Sequence, residues 1–210
     1  MDHKDIVNTA TKIDSELGAR IDFILEIDKL KAILRRSLIV DGSRFENTAE
    51  HSWHLAMLAM VLAPYAEDDV DITRATEILL VHDLVEIDAG DTYIYDEVGR
   101  ESKEANERAA AERIFNLLPS SQAAHIAELW DEYEERATPT AKFAYAIDRL
   151  QPLLLNSASG GAAWLSNGIR HSQAAAVNSP IGNGSATLWQ LAEQILSDAA
   201  DQGTLADDRA

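Results

Sequence analysis

Residues Val81 to Asp91 read "VHDLVEIDAGD" and continue the apolar run Ile78, Leu79 and Leu80. A helix opening in such a run heads into the interior. Its next ten positions nevertheless carry five ionisable residues: His82, Asp83, Glu86, Asp88 and Asp91. Buried charge is costly unless something pairs with it. Glu86 lies four residues past His82 and three past Asp83, so the three crowd one edge of a helix. A bound divalent metal ion would reconcile the charge with the apolar setting, and its other ligands must come from elsewhere in the chain.

Two further positions show the same conflict. His51 opens the apolar stretch of a second helix and shares a face with Leu55, Leu58 and Ala59. Taken alone, a histidine there is more often a hydrogen-bonded core residue than a ligand. Asp148 interrupts "FAYAIDRLQPLLL", where a carboxylate needs a partner. Arg149 is adjacent, but neighbours on a helix point about 100° apart, so an inward Asp148 needs something else. Three helices offering imidazoles and carboxylates to one interior point is how helical bundles build metal sites. Two neutral imidazoles and two carboxylates, from His51, His82, Asp83 and Asp148, would balance a divalent ion. Such mixed nitrogen and oxygen ligation suits manganese, cobalt, iron or zinc, and admits magnesium.

The surrounding pattern predicts an all-α fold. Leu17–Ser37 places Ile21, Ile24, Leu25, Leu30, Ala32, Ile33 and Leu34 near one helical stripe. After a turn at "VDGS", Asn47 and Glu50 stand in the relation of a capping box, so a helix begins near Thr48. Asp71 caps the next, which runs through the opening stretch to Gly90. A loop "TYIYDEVG" leads into the helix-favouring "RESKEANERAAAERIFNLL". "SSQAAHIAELWDEYEERA" supplies another helix. Thr138 and Pro139 start one that ends or kinks near Pro152. The Gly-, Ser- and Asn-rich stretch after Asn156 reads as loop in at least its second half. "ATLWQLAEQILSDAA" forms the last helix. Trp53, Trp130, Trp164 and Trp189 read as packing anchors. The organisation predicted is a polar segment 1–16, one helical domain 17–200, and a polar, fraying tail 201–210.

Composition narrows the chemistry. The 210 residues include no cysteine, so any metal is held by nitrogen and oxygen, and disulfide or thiolate chemistry is excluded. The formal net charge of -18 disfavours nucleic-acid polymers and anionic membranes as partners. No apolar run approaches the length of a membrane span, and the N-terminus is polar and acidic, unlike a signal peptide. The expectation is a soluble, cytoplasmic protein.

The order His51, then His82-Asp83, then Asp148 resembles the HD-domain metal-dependent phosphohydrolase superfamily. The blocks "LKAILRRSL", "ENTAEHSW", "VHDLVEIDAGD", "ESKEANERAAAERIFNLLP" and "FAYAIDRLQPLL" resemble its 5′-deoxynucleotidase-like branch over approximately Leu30 to Leu155. The resemblance implies an all-helical core, one catalytic divalent metal, homodimers, and hydrolysis of nucleoside 5′-monophosphates to nucleoside and phosphate. By position it implies His51, His82, Asp83 and Asp148 as ligands, Glu86 as an active-site acid or base, and Asp91 as a second catalytic carboxylate. Arg35 matches an arginine associated with the substrate phosphate. The next substrate-side position, Arg36, departs from the tryptophan of bacterial deoxynucleotidases that is linked to preference for the deoxy sugar.

Each role has a structural competitor. Glu86 has as its lesser alternative the hydrogen-bond partner of a ligand histidine, Asp91 serves equally as a helix terminator, and Arg35 and Arg36 fit cations at a helix C-terminus, so their substrate role rests on the resemblance. Rival functions on the same residues are hydrolysis of an alarmone or a nucleoside triphosphate, and a metal-binding sensor or interaction module without turnover. Alarmone hydrolases commonly carry two adjacent acids after the HD pair, whereas here Ile87 follows Glu86.

Overall fold

The structure is a computed structural model that describes residues 1–91, 94–95 and 103–209. Among the described residues its regular structure is helical apart from one short hairpin and an isolated bridge between Arg170 and Ala206. Asp2 caps α1 (His3–Ile13) through a capping box with Asp5. Asp14 ends that helix and caps α2 (Ser15–Ile27) by accepting from the Leu17 amide. The polar segment at the N-terminus is thus a capped helix.

The helix expected over Leu17–Ser37 stops ten residues early. A 3-10 turn at Asp28–Ala32 redirects the chain into β1 (Leu34–Leu38), which pairs antiparallel with β2 (Phe45–Asn47). The turn between them places Gly42 at φ 70°, and the Asp41 carboxylate accepts from the Ser43 amide. The predicted stripe shifts accordingly. Phe23, Glu26 and Leu30 are buried, while Ile24 and Leu34 are exposed. Glu26 tolerates burial because Arg113 and Lys29 both hold it at 2.7 Å.

Asn47 and Glu50 cap α3 (Thr48–Val61) reciprocally, and Asp71 caps α4 (Ile72–Val81) through the Arg74 amide. The expected single helix to Gly90 is broken in the middle. Amides at 84, 86, 87 and 88 bond three residues back, so His82 to Val85 form a tighter turn before α5 (Glu86–Ala89). Gly90, at φ 75°, releases the chain toward Asp91. Of the loop expected over 92–99 only 94 and 95 are described, and 100–102 also lie outside the described residues. Next come α6 (Lys103–Phe115) and α7 (Ser120–Glu135).

Helix α8 (Pro139–Ala158) is the axis of the core. Thr138 caps it, Pro139 occupies its first turn, and Phe143, Ala144, Ala146, Ile147 and Leu150 are fully buried. It packs against α3, α4 and α7. It does not end at Pro152. The helix continues to Ala158, with the Asp148 carbonyl losing its helical partner. The stretch after Asn156, expected largely as loop, folds into α9 (Ala162–Ser166), α10 (His171–Asn178) and α11 (Ile181–Gly184). Glycines at 160, 161 and 168 take positive φ between these turns, and buried Trp164 and Ile181 anchor them. Helix α12 (Ala186–Asp201) follows and touches α8. The tail is held rather than frayed: Leu205 is buried, Ala206 bonds the His171 amide, and Arg209 pairs with Asp201.

Candidate metal centre and substrate cleft

Three elements converge. α3 delivers His51 one turn after its cap, the turn after α4 delivers His82 and Asp83, and the middle of α8 delivers Asp148. Ligand atoms of His51, His82 and Asp83 all lie within 4.8 Å of one another. Asp148 Oδ1 lies 3.0 Å from His51 Nε2 and 3.8 Å from His82 Nε2. Asp83 completes the set, with Oδ2 3.8 Å from His51 Nε2 and Oδ1 3.1 Å from His82 Nε2.

The outer hydrogen bonds decide which ring nitrogens face inward. His82 Nδ1 donates to the Leu79 carbonyl at 2.9 Å, so in the neutral ring that a metal would bind the lone pair is on Nε2. That Nε2 is buried and, although Asp83 Oδ1 is 3.1 Å away, makes no well-directed hydrogen bond among the described residues. On α8, Gln151 gives its amide N–H groups to Glu46 (2.6 Å) and His54 (3.2 Å), leaving its oxygen to accept from His51 Nδ1 at 3.2 Å. His51 therefore also turns a lone pair inward. Two imidazole lone pairs facing two carboxylates is a donor set that a divalent cation completes, and the nitrogen and oxygen chemistry fits.

Arginines and a tyrosine hold the carboxylates from outside. Tyr133 donates to Asp148 Oδ2 at 2.8 Å. Arg149 reaches the same oxygen at 2.5 Å by curling back along the helix, despite the angular offset of adjacent positions. Asp148 thus divides its oxygens, Oδ2 for these partners and Oδ1 for the histidines. Burial opposes its ionisation, yet Arg149 and the histidines hold its carboxyl well below the usual range. Burial likewise opposes ionised Asp83, and His82 with Arg35 keeps it low. Burial disfavours a charged His82, but Asp83 and Asp148 raise it to about 9.

Arg35 and Arg36 stand on β1, not at a helix C-terminus, so a helix dipole does not explain them. Arg35 is almost buried; its Nη1 lies 2.9 Å from Asp83 and 3.7 Å from both Glu86 and Asp91. Arg36 is exposed and lines the mouth of the same cleft. Glu86 is buried and accepts from the Thr48 hydroxyl at 2.9 Å. Burial first, then the charges of Asp83 and Asp91, push its carboxyl up to about 8. The eight residues given site roles from sequence, Arg35, Arg36, His51, His82, Asp83, Glu86, Asp91 and Asp148, therefore lie at this cluster or its cleft, whereas Asp88 of the same stretch faces away and pairs with Arg113. Thr48, Tyr133, Gln151 and Glu46 were not singled out, and only the buried polar character of Gln151, three positions after Asp148, would have marked one of them. Of the tryptophans, Trp130 and Trp164 are buried, whereas Trp53 is 63% exposed on α3 and is no packing anchor within the chain.

An all-helical fold with this His, His-Asp and Asp arrangement defines a class. Residues 27–189 match the family described as HD domain, and the chain belongs to that family. Among solved structures it is similar to a "predicted metal-dependent phosphohydrolase" from Magnetospirillum magnetotacticum MS-1. The two are 49% identical, with TM-score 0.88 over 92% of this chain and 97% of the other. Human 5′-deoxynucleotidase HDDC2 is 31% identical over 140 residues, which make up 65% of this chain and 67% of the relative. The Schizosaccharomyces pombe 5′-deoxynucleotidase hdd1 is 29% identical over 136 residues, 62% of this chain and 67% of the relative.

Proposed function

We propose that the chain is a phosphomonoesterase hydrolysing nucleoside 5′-monophosphates, preferentially deoxyribonucleotides, to nucleoside and phosphate. The observation that carries the proposal is the inward-facing pair of imidazole lone pairs opposite Asp83 and Asp148, with the Arg35 guanidinium beside them. The 5′-deoxynucleotidase relatives support the substrate class. Residues 17–200 would form the single hydrolase domain.

In this reading His51, His82, Asp83 and Asp148 hold one divalent ion: manganese, cobalt, iron, zinc or magnesium. When bound, such an ion supplies Lewis-acid activation of water and of a phosphate oxygen. Arg35 offers forked donors to the other phosphate oxygens and stabilises the charge that grows there during in-line displacement. Glu86, fixed by Thr48, orients the attacking water and, in its ionised form, takes its proton. Asp91 assists the leaving 5′-oxygen, and exposed Arg36 meets the substrate at the rim.

A cytoplasmic homodimer completes the proposal. Exposed Trp53, Met57, Met60 and Val61 on α3 offer apolar surface for a second copy. Among the described residues no helix is long and apolar enough to cross a membrane.

The test is phosphate release from each common ribo- and deoxyribonucleoside 5′-monophosphate with each of the five metals in turn. Release of phosphate, abolished by Asp83→Asn, is expected. Pyrophosphate release from triphosphates or alarmones, with every monophosphate inert, would replace the proposal with the rival hydrolases. Metal binding without any turnover would favour a sensor module.

A further inference from the structure

The cleft extends well past the ionisable cluster, and its far end is built differently. Asp148, Pro152 and Asn156 follow one another at four-residue intervals on α8, so they form a stripe along one face, and all three line the cleft. Eight residues of helix place Asn156 about 12 Å along the axis from Asp148. A 5′-nucleotide with its phosphate at the ion cluster projects its base over such a distance.

Beyond Pro152 the lining becomes apolar, with Leu153, Ala163, Trp164 and Val177. Leu153 and Trp164 are each 2% exposed, so these walls are fixed by the core. Apolar walls with a few placed polar groups are what a flat heteroaromatic ring requires. One such group is present. Asn156 Oδ1 is buried and has no hydrogen-bond partner among the described residues. Asn178, also in this lining, spends its amide N–H on the Ala174 carbonyl at 2.8 Å. The structural bonds of Asn156 are made by its main chain, whose carbonyl accepts from the Gly161 amide at 2.8 Å. The side-chain oxygen is thus not needed to shape the turn, and a buried acceptor left unpaired disfavours the state that contains it.

We propose that this end of the cleft is the nucleobase subsite and that Asn156 reads the base edge, its Oδ1 accepting from a base N–H. Adenine and cytosine present an exocyclic amine there; guanine, thymine and uracil present a ring N–H. The contact therefore selects for the presence of a base rather than for one base. The inference rests on the nucleotidase reading and adds to it a residue that separates nucleotides from simple sugar phosphates.

The experiment compares wild type and Asn156→Ala, both loaded with Mn2+, on a deoxyribonucleoside 5′-monophosphate and on 2-deoxyribose 5-phosphate. The second compound is measured by KM, or by its Ki against the nucleotide where it is not turned over. Loss of one neutral hydrogen bond is expected to raise the nucleotide KM about fivefold with kcat nearly unchanged, and to leave the sugar phosphate constant where it was. Asn156→Asp keeps an acceptor at the same place and is expected to recover most of the nucleotide KM. An unchanged nucleotide KM in Asn156→Ala, or an equal change for both compounds, would overturn the base-reading role while leaving the nucleotidase intact. Failure of the wild type to turn over any nucleoside monophosphate would instead remove the nucleotidase reading, and the subsite with it.

Discussion

Gln151→Met separates the hydrogen bonds that aim His51 from the proposed ligands themselves. The substitution nearly conserves volume at a position with no exposure. It removes the acceptor for His51 Nδ1 and the 2.6 Å bond to Glu46 Oε1. Glu46 is itself buried, and its Oε2 has no hydrogen-bond partner among the described residues. Depriving a buried carboxylate of a hydrogen bond costs about 1.5–3 kcal/mol, which is the loss of stability expected without metal. With metal a second loss is added. Removing the group that orients a ligand histidine typically lowers metal affinity about 10–100-fold. At fixed free Mn2+ that weakens metal-linked stabilisation by about 1.4–2.7 kcal/mol. The low end is favoured because Glu46 Oε2, 3.4 Å from His51 Nδ1, can take over part of the bond. Urea denaturation of both proteins with Mn2+ and with chelator yields the two increments, and titration calorimetry gives the affinity directly. If the variant gains as much from Mn2+ as the wild type, Gln151 does not act through a metal-binding His51 and the reasoning fails.

Two predictions concern the frame around the site. Gly161 adopts φ 72°, and a Cβ there would come 2.1 Å from the Thr204 carbonyl oxygen. Gly161→Ala should therefore cost at least about 2 kcal/mol, from the left-handed backbone and the displaced carbonyl together; a thermal melt checks the cost, and early proteolysis after Asp201 would report the released tail. For Glu26, burial raises the carboxyl, but Lys29 and Arg113 outweigh it and hold the group below its ordinary 4.5. The unfolded chain then binds its proton more readily than the folded one. The stability contributed is present above pH 4.5 and is lost as pH falls through the folded-state value. Glu26→Gln should flatten the acid limb of the melting temperature against pH, and an unchanged limb would contradict the assignment.

What could be read from sequence was local or conspicuous. The caps of α3, α4 and α8 are spelled by Asn47 with Glu50, by Asp71, and by Thr138 with Pro139, because a cap is settled within four residues. His51, His82, Asp83 and Asp148 were visible because each interrupts an apolar stretch. The hairpin was not visible: "LKAILRRS" has high helix propensity and no strand alternation, and only pairing with β2 turns it into a strand. That error also misplaced Arg35, whose proximity to three carboxylates depends on strand geometry. Glycines around the α9–α11 region signalled loop, while the alanines between them and the buried Trp164 favoured short helices. Gln151 and Tyr133 reach the proposed ligands His51 and Asp148 across 100 and 15 positions, and Glu46, though close to His51 in sequence, is tied in by Gln151 from 105 positions away. Adjacent helical positions diverge, which argues from sequence against pairing Arg149 with Asp148, but a long flexible guanidinium bends back where a short side chain could not.

The central claim is that four side chains from α3, the turn after α4, and α8 hold one cation. The most direct measurement is an anomalous difference map from a crystal equilibrated with Mn2+. The account predicts one strong peak about 2.0–2.3 Å from His51 Nε2, His82 Nε2, and an oxygen each of Asp83 and Asp148. A map with no peak among these four residues, at an Mn2+ concentration that supports phosphate release, would contradict it.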